Sequence, residues 1–498
     1  MNPGSTGTED RGAADQPHSS PPGLNSGPSA ESSGCVVFST LAGNQTDFYA
    51  DVASELQGLG YQCQFLSFHE PSLEGLRKRG FPAVSVFEES SSLKAIEDIH
   101  LAEFCEKYQL DHPNRLISHE KLFYGLTDSR MLLGKLTRYL QGVDRILSSI
   151  KKNSPPDSKI TLVQELGGFL SVIAGYFAAR RLSIDNVFIE PSFFRGRLIF
   201  LRNTFDAMKP AGTEKLQVTP EVRTYLKETM EQKKIVIPIK DRGFYRKSVA
   251  KILSWHNAKR LVQKMMEKHV HGQREEFNHL GNHVFTHLRM ARNEFFYFRR
   301  HYQELPLNAR LVYFPLHVPA DVALTIRAPE YVDQWALIDY LARSIPVTHT
   351  LIVKEHPATV GAASRSRVAD LLTRHDNVRL LNPWINNYDV IRESEVVITI
   401  NSKSGAEAIL SGKPVIALGD SFYRNSALVR TVKSLSELPG ALAEILREKG
   451  AQKDPAAVEQ FFQQVWDLSH PGELYSNASE HASIFSKSLA RFLQEGRS

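Results

Sequence analysis

The chain has 498 residues, of which 42% are apolar and 23% are charged, and its formal net charge is +5. This length predicts two to four domains, and the small net charge gives no electrostatic argument for nucleic-acid binding. The three cysteines have no C-x-x-C spacing, which argues against a disulfide framework or a zinc site and favours a reducing compartment. We therefore expect a cytoplasmic protein without a nucleic-acid partner.

The N-terminal segment, residues 1–33, is rich in Ser, Gly and Pro and has no apolar run. This composition predicts a disordered tail and not a signal peptide. Beyond it, an apolar run is followed by Phe48, Val52 and Leu56 at nearly helical spacing and then by a second apolar run. This order indicates a βαβ unit, which favours a parallel sheet.

A second βαβ pattern is formed by KITLVQELGG, a helix at about 169–182, and NVFIEPSFF. Helical segments are also expected around 93–109 and 129–150. Together these elements predict a Rossmann-like N-terminal domain over residues 34–205.

The next stretch, residues 206–305, has a different character. Between Lys233 and Arg300 there are 16 Lys and Arg residues against 5 Asp and Glu, and aromatic residues are interleaved with them. We predict a basic helical insertion or bridge. Two interpretations of it remain open: a surface for anionic lipid headgroups or an anionic glycan, or a solvated basic face with its aromatic residues in the core.

Three histidines in this region, His279, His283 and His287, are spaced i, i+4, i+8 on a presumed helix. Two such side chains can bind a metal ion. No carboxylate or cysteine joins them in a motif, so we interpret them as a polar helix face and expect no metal site.

From residue 309 the alternation of strands and helices returns and predicts a second Rossmann-like domain over residues 306–435. Residues 435–448 and 455–495 are predicted to be helical. We expect this C-terminal part, residues 436–498, to pack on the outside or to cross back over the first domain. No segment is long and apolar enough to predict a transmembrane helix.

The loop NSKSG, at 401–405, follows an apolar strand and opens a helix. The first N–H groups of a helix lack partners and carry partial positive charge, which makes this a phosphate-binding position. Hydroxyls of Ser402 and Ser404 add donors, Gly405 permits close approach, and Glu407 lies where it can accept from ribose hydroxyls. The alternative is a plain helix cap, since serine is a favoured capping residue.

The tetrapeptide KEHP places three ionisable residues at the end of an apolar strand. Lys354 and His356 can both donate hydrogen bonds to phosphate oxygens. Pro357 ends the strand and fixes the turn. The alternative is an exposed loop with incidental charge, but a buried strand has little reason to end on Lys354, Glu355 and His356 unless they meet solvent or a ligand.

The combination of YFPLHVPAD, LIVKEHP and VVITINSKSGAEAILSGKPVIALGDSFY resembles the capsular polysaccharide biosynthesis and export proteins. These sequences are similar to Kdo transferases of the two-domain GT-B type, which use a CMP-activated sugar acid. VQELGGF and NVFIEPSFFRGRLIFLRN resemble the acceptor-domain segments of that family. The resemblance covers about 160–430 and implies an α/β fold with two Rossmann-like domains facing a cleft.

The resemblance also implies functional residues. Lys354 and His356 would contact the donor phosphate, Glu407 would hold the ribose, and the loop NPWINN would lie near the base. The acidic catalytic residue would come from the N-terminal domain. The nearest local match is ELGGF, which lacks the Asp of the similar Glu-Asp-Gly-Phe pattern, so Glu165 is our first choice and Glu190 our second. The predicted donor-binding set is His317, Lys354, Glu355, His356, Pro357, Trp384, Asn401, Ser402, Ser404, Gly405 and Glu407.

The function implied is metal-independent transfer of Kdo from CMP-Kdo to a lipid-linked or glycan acceptor, with a nucleotide sugar as donor and no further cofactor. The basic insertion would hold the protein peripherally at the inner membrane, where a glycolipid acceptor lies. Two alternatives remain: a polyol-phosphate transferase of the CDP-glycerol type, and a non-catalytic nucleotide- or glycan-binding component of a polysaccharide export assembly.

Overall fold

The structure is a computed structural model, and it describes residues 34–93, 100–210, 216–245, 255–448, 453–476 and 479–495. The predicted disordered tail, residues 1–33, lies outside the described residues. Part of the helical segment expected at 93–109 also lies outside them; the described part ends in a helix over Leu101–Tyr108.

The first half of the chain forms a seven-stranded sheet. Its strands are β1 (Cys35–Thr40), β2 (Gln62–Ser67), β3 (Ala83–Ser85), β4 (Ile160–Glu165), β5 (Asp185–Pro191), β6 (Arg197–Arg202) and β14 (His470–Pro471). Their order across the sheet is β14-β6-β5-β4-β1-β2-β3. The pairs from β5 to β3 are parallel, whereas β6 pairs antiparallel with both β5 and β14.

The second half forms another seven-stranded sheet. Its strands are β7 (Tyr302–Gln303), β8 (Leu311–Pro315), β9 (Thr350–Lys354), β10 (Val378–Leu381), β11 (Ser394–Thr399), β12 (Val415–Ala417) and β13 (Arg430–Thr431). The order is β13-β12-β11-β8-β9-β10-β7, and every neighbouring pair is parallel. The carboxyl ends of all these strands therefore meet at one edge.

Helices connect and cover the two sheets. In the first half they are α1 (Gly43–Gly58), α2 (Leu73–Lys78), α3 (Val86–Ser91), α4 (Leu101–Tyr108), α5 (Pro113–Leu116), α6 (Ser118–Tyr124), α7 (Ser129–Asn153), α8 (Leu170–Arg181) and α9 (Pro220–Glu231). The residues between Lys233 and Arg300, which we call the basic region, contain α10 (Trp255–His269) and α11 (Leu280–Arg300). The remaining helices are α12 (Val322–Thr325), α13 (Gln334–Ser344), α14 (Arg365–Arg374), α15 (Asn387–Glu393), α16 (Lys403–Leu410), α17 (Leu438–Arg447), α18 (Pro455–Asp467) and α19 (Ser479–Glu495).

The apolar patterns of the sequence explain these elements. Every residue of β1 is buried and β4 is buried up to Glu165, as expected for parallel strands covered on both faces by helices. On α1, Phe48, Val52 and Leu56 are buried, which is the stripe that the helical spacing predicts. The predicted fold class, an α/β protein with two Rossmann-like units of the GT-B type, is confirmed.

The last helix returns to the first sheet. Phe485 and Leu489 of α19 are buried in the same core cluster as β1 and α1, and Ser486 Oγ donates to the carbonyl of Val52 over 3.2 Å. With β14 paired to the edge of the first sheet, the chain crosses back over its N-terminal half. Two arrangements were expected for the C-terminal helices, packing on the outside or crossing back over the first domain, and α19 adopts the second.

The aromatic residues of the basic region are divided between the core and the surface. Tyr297 is fully buried, but Trp255 is 84% and Phe295 59% exposed. His279 precedes α11 and its ring lies 4.5 Å from that of Tyr124, whereas the side chain of His283 lies outside the described residues.

Candidate functional site

The candidate site lies along the edge where the strands of the second sheet end. His317 follows β8, Lys354 is the last residue of β9, Trp384 follows β10 and Ser402 follows β11. Ligands of open parallel sheets bind outside this edge, at the carboxyl ends of the strands. The fold therefore brings together loops that are distant in sequence, as the loop positions predict.

The loop after β11 ends in the first turn of α16. Ser402 is the N-cap residue, and its Oγ accepts a hydrogen bond from the backbone N–H of Ser404 over 3.1 Å. Asn401 precedes the cap, and its Nδ2 donates to the carbonyl of Ala323 over 2.6 Å. Ser402 is therefore a helix cap, which was the alternative to a phosphate-binding role. The partial positive charge at the start of the helix remains available to an anion.

Gly405 is present for a different reason from the one predicted. A Cβ at this position would come within 2.4 Å of Tyr423 Oη and 3.0 Å of Thr399 Cγ2. The Tyr423 hydroxyl donates to the carbonyl of Ser402 over 2.6 Å, which holds the ring against the start of α16. The glycine makes room for a buried tyrosine, whereas the sequence suggested room for a ligand.

Lys354 is a buried cation at the end of β9. Its side chain Nζ donates to the carbonyl of Ile385, 3.1 Å away, and the residue is only 5% exposed. Burial lowers the pKa of Lys354 to about 8, and the nearby Glu407 carboxylate acts in the opposite direction. A lysine with this pKa changes its charge within the range of ordinary assay conditions.

Glu407 lies beneath the first turn of α16. It is 5% exposed and accepts a hydrogen bond from Asn387 Nδ2, which also donates to Ser404 Oγ over 3.0 Å. Tyr313 Oη donates to Asn387 Oδ1 over 2.6 Å and so fixes the amide. Burial raises the pKa of Glu407. The carboxylate is part of a buried hydrogen-bonded network, and its predicted contact with ribose stays a prediction.

His356 is oriented by its own turn. Its Nδ1 accepts from the backbone N–H of Ala358 over 3.2 Å, at the start of the short 3-10 turn that begins at Pro357. The neutral ring therefore carries its proton on Nε2. This nitrogen lies 3.3 Å from the hydroxyl of Tyr245. The N–H that would donate to a phosphate oxygen points at a tyrosine from the basic region.

Glu355 is separated from this group. Its carboxylate accepts from the Tyr302 hydroxyl and from the backbone N–H of Gly361, and it is 4% exposed. Burial raises the pKa of Glu355 to about 7. Successive side chains of an extended chain point to opposite faces, so Lys354 and Glu355 diverge. We therefore remove Glu355 from the predicted phosphate-binding set.

The loop after β10 carries Trp384. Its backbone N–H donates to Asn382 Oδ1 over 3.1 Å, and its indole Nε1 finds no acceptor among the described residues. The same loop supplies the Ile385 carbonyl that holds Lys354. Trp384 thus lies in the loop that adjoins the buried lysine, and its predicted place near the base stays a prediction.

Glu165 ends β4 in the first sheet and faces the basic region. Lys240 Nζ lies 3.0 Å from its carboxylate, and the Tyr475 hydroxyl donates to it. Lys240 belongs to a 3-10 turn, Ile239–Phe244, whose next residue is Tyr245. Residues 239–245, which we call the bridging segment, therefore contact both Glu165 and His356.

Glu190 joins the two halves of the molecule. Both of its carboxylate oxygens accept from the guanidinium of Arg327, each over 3.0 Å. Arg327 Nε also donates to the carbonyl of Phe205 over 2.6 Å. Beside this pair, Lys403 Nζ reaches across from α16 to the carbonyl of Ser192 over 2.9 Å. The geometry of Glu190 is that of an ion pair between domains.

Two buried histidines lie near Asp321. His317 donates its backbone N–H to a glutamine, and His119 Nδ1 lies 3.0 Å from Thr325 Oγ1. Burial lowers the pKa of each ring to about 4, with Asp321 acting in the opposite direction. A Cβ at Gly168, within ELGGF, would come within 2.3 Å of His119. Both rings are neutral at physiological pH.

Sequence reasoning missed several residues that surround the cleft. They are His119, Lys240, Tyr245, Asp321, Arg327 and Lys403. Lys403 had a visible signal, because a cation lies between the two serines of the loop NSKSG. The other five residues have partners in distant parts of the chain, and no local sequence pattern indicates those partners.

Comparison with known protein families shows what the part of the chain around this site resembles. The family model described as capsule polysaccharide biosynthesis protein matches residues 214–436, which include every strand of the second sheet. The resemblance predicted from the sequence is confirmed for this stretch. We call residues 214–436 the capsule-synthesis region. The match begins after VQELGGF and NVFIEPSFFRGRLIFLRN, so the resemblance of those two segments stays a prediction.

Protein FixF of Sinorhizobium fredii is 30% identical over 171 residues, which are 34% of this chain and 40% of that protein's length. Among solved structures, the beta Kdo 2,7 transferase KpsC of Thermosulfurimonas dismutans aligns with a TM-score of 0.32 and 16% identity, covering 76% of this chain and 96% of its own. A glycosyltransferase from Rickettsia africae aligns with a TM-score of 0.31 and 10% identity, covering 93% and 98%.

Two features are absent from the described residues. No group of three or more His, Cys, Asp or Glu side chains in them is arranged as metal ligands would be. None of the described helices combines the length and the apolar character needed to cross a membrane.

Gly405→Ala tests the packing beneath α16. We expect the free energy of unfolding to fall by about 1–3 kcal/mol, because the new methyl group meets the Tyr423 ring. Gly440→Ala is the matched control, since a Cβ there meets nothing within 4 Å, and it should change stability by less than about 1 kcal/mol. Urea unfolding measures both variants; equal stability of Gly405→Ala and the wild type would contradict the packing argument.

Proposed function

We propose that the protein is a glycosyltransferase of capsule polysaccharide synthesis that transfers Kdo from CMP-Kdo to a lipid-linked or glycan acceptor. The match of the capsule-synthesis region supports the pathway and the general class of reaction. The observation that carries the proposal is Lys354, a buried amine at the carboxyl edge of a parallel sheet, in the loop group that also holds His356 and the start of α16.

These groups suit the phosphate of a nucleotide donor. Charge develops on the leaving phosphate as the bond from the anomeric carbon to the phosphate oxygen breaks. Lys354 Nζ, His356 Nε2–H and the first N–H groups of α16 are donors that would stabilise that charge in a site with little water. Since these groups supply the positive charge, we propose that the transfer needs no metal ion and no cofactor beyond the nucleotide sugar.

The sugar side of the reaction needs a carboxylate. The acceptor hydroxyl oxygen bonds to the anomeric carbon, CMP leaves with the bonding electrons, and the hydroxyl proton passes to a base. Glu165 is our choice, because its partners are the Lys240 amine and the Tyr475 hydroxyl, whereas a single guanidinium, that of Arg327, binds both oxygens of Glu190. If Glu165 acts as a nucleophile instead of a base, the same carboxylate would lie against the face of the sugar. In either role its contact with Lys240 must loosen.

The two alternatives use the same phosphate-binding groups. A CDP-glycerol type enzyme would transfer a phosphate-containing group, so its donor is a nucleoside diphosphate derivative. A nucleotide- or glycan-binding component of an export assembly would bind its ligand without turnover. Donor preference separates the first alternative from the proposal, and turnover separates the second.

Nucleotide titration of the purified protein is the first test. We expect calorimetry to show binding of CMP in preference to CDP, UDP and GDP, with affinity reduced at least about tenfold in Lys354→Ala and in His356→Ala, since each removes a hydrogen bond to a charged group. Lys433→Ala, which removes an exposed lysine elsewhere, should bind as the wild type does. Preference for CDP would favour the polyol-phosphate alternative, and no binding of any nucleotide would overturn the proposed donor site.

The affinity for CMP should depend on pH through Lys354. The pKa of this lysine is lowered to about 8, so the amine is charged below pH 8 and loses its proton as the pH rises through that value. We expect the affinity to fall about tenfold between pH 7 and pH 9, over which the CMP phosphate keeps its charge. Lys354→Met should bind weakly at both values; an unchanged pH profile in that variant would assign the titration to another group.

Glu165→Gln tests the catalytic carboxylate. We expect the rate of Kdo transfer to fall at least about 100-fold while CMP affinity stays the same, because the base is lost and the donor site is not. Glu190→Gln is the matched variant: it weakens the pair with Arg327 and should lower the free energy of unfolding by about 2 kcal/mol. Transfer at the wild-type rate by Glu165→Gln would remove Glu165 from the mechanism.

A further inference from the structure

The loop that begins α16 carries a lysine between its two serines. Lys403 is the first residue of α16 and directly follows the N-cap residue, Ser402. Its side chain leaves its own helix and reaches the first half of the molecule, where Nζ donates to the carbonyl of Ser192 over 2.9 Å. Ser192 comes directly after β5. The amine therefore crosses from a donor loop to the carboxyl end of a strand in the first sheet.

The positive charge of Lys403 is not balanced by a carboxylate of its own. An ammonium group has three N–H donors, and the Ser192 carbonyl takes one of them. Among the described residues, no carboxylate forms an ion pair with Lys403. The carboxylate whose charge acts most strongly on it is Glu190, and both oxygens of Glu190 are bound by Arg327. Burial accordingly lowers the pKa of Lys403. A cation in such surroundings is stabilised by an anionic ligand.

Lys403 connects the phosphate-binding position with the surroundings of Glu165. Its backbone belongs to the first turn of α16, where the donor phosphate is proposed to bind. The charges of Lys240 and Asp241 act on its pKa in opposite directions, which indicates that the bridging segment is near its amine. Lys240 in turn lies 3.0 Å from the carboxylate of Glu165. In the proposed reaction the donor sugar lies between the phosphate and this carboxylate, so the Lys403 amine adjoins the sugar.

An activated sugar acid brings a second anion to this position. In CMP-Kdo the carboxylate and the phosphate oxygen are both bonded to the anomeric carbon, so the carboxylate carbon is only two bonds from that oxygen. A cation beside the phosphate is therefore within reach of the carboxylate. A neutral sugar has no charge there and would leave the ammonium group of Lys403 without a counter-ion.

We propose that Lys403 is a specificity-determining residue that selects a donor sugar with a carboxylate on its anomeric carbon. One N–H stays on the Ser192 carbonyl and orients the side chain, and the other two bind the sugar carboxylate in a charge-assisted pair. Neutral sugars are rejected because they leave a desolvated ammonium group unpaired. This role rests on the proposed function, since it requires the donor phosphate at the start of α16.

Lys403→Met tests the role of the amine, because methionine is also unbranched and carries no charge. Calorimetry measures the ratio of the affinity for CMP-Kdo to the affinity for CMP. We expect Lys403→Met to lower this ratio at least about tenfold, since a charge-assisted bond to the sugar is lost. Lys403→Arg should keep most of the ratio, because a guanidinium also pairs with a carboxylate. An equal loss of affinity for both ligands would assign Lys403 to the phosphate, and an unchanged ratio would make it a contact between domains; either result would overturn the proposal.

Lys413→Met is the matched control. Lys413 follows the other end of α16, and its Nζ also donates to backbone carbonyls, those of Arg392 and Ser394, over 2.6 and 2.9 Å. It precedes β12, so it lies at the edge of the sheet opposite the donor loops. We expect Lys413→Met to keep the affinity ratio of the wild type. A fall of the ratio in both variants would indicate a general disturbance of α16 and would overturn the specific role of Lys403.

A change in the ligand tests the same contact in the wild type, so the outcome does not depend on the folding of a variant. The carboxamide of CMP-Kdo, which lacks the negative charge, should bind at least about tenfold more weakly than CMP-Kdo. Lys403→Met should bind the two ligands with similar affinity. Equal affinity of the wild type for both, with CMP still bound, would overturn the role of Lys403 and leave the proposed donor site intact. Failure of the wild type to bind CMP would overturn both.

Discussion

The arrangement of the candidate site depends on one ion pair between the two halves of the molecule. Glu190 belongs to the first sheet and Arg327 to the second half of the chain, and both carboxylate oxygens are bound by the guanidinium. A bidentate pair of this kind fixes orientation as well as distance. Because Lys403 also reaches the carbonyl of Ser192, the start of α16 is held at a set distance from β5. These contacts hold the loop NSKSG next to the end of β5.

Much of the fold could be predicted because its signals are local. Fully apolar strand segments separated by amphipathic helices indicate parallel sheets, and the helix predicted at about 169–182 is found at Leu170–Arg181. The position of the site could also be predicted, since parallel topology alone sends the loops after β8, β9 and β11 to one edge. The residues of KEHP and NSKSG lie at that edge for this reason.

The contacts of individual site residues could not be predicted, because their partners are distant in sequence. Glu190 and Arg327 are 137 positions apart, and no pattern in either segment indicates the other. Tyr423, which explains Gly405, lies beyond the next strand. Glu355 is the exception, because side chains alternate along an extended chain and this alternation alone separates Glu355 from Lys354. This alternation was a signal in the sequence that Glu355 points away from the other residues of the predicted phosphate-binding set, and its contacts with Tyr302 and Gly361 show it.

The bridging segment has a consequence for the order of events in catalysis. Residues 239–245 contact Glu165 through Lys240 and His356 through Tyr245. In the proposed reaction, a donor phosphate that takes the Nε2–H of His356 displaces Tyr245 and thereby shifts the short turn that carries Lys240. The Glu165 carboxylate would then become available only after the nucleotide sugar has bound. Such a protein would follow a compulsory-order kinetic scheme with the donor first, and an empty enzyme would keep its base covered.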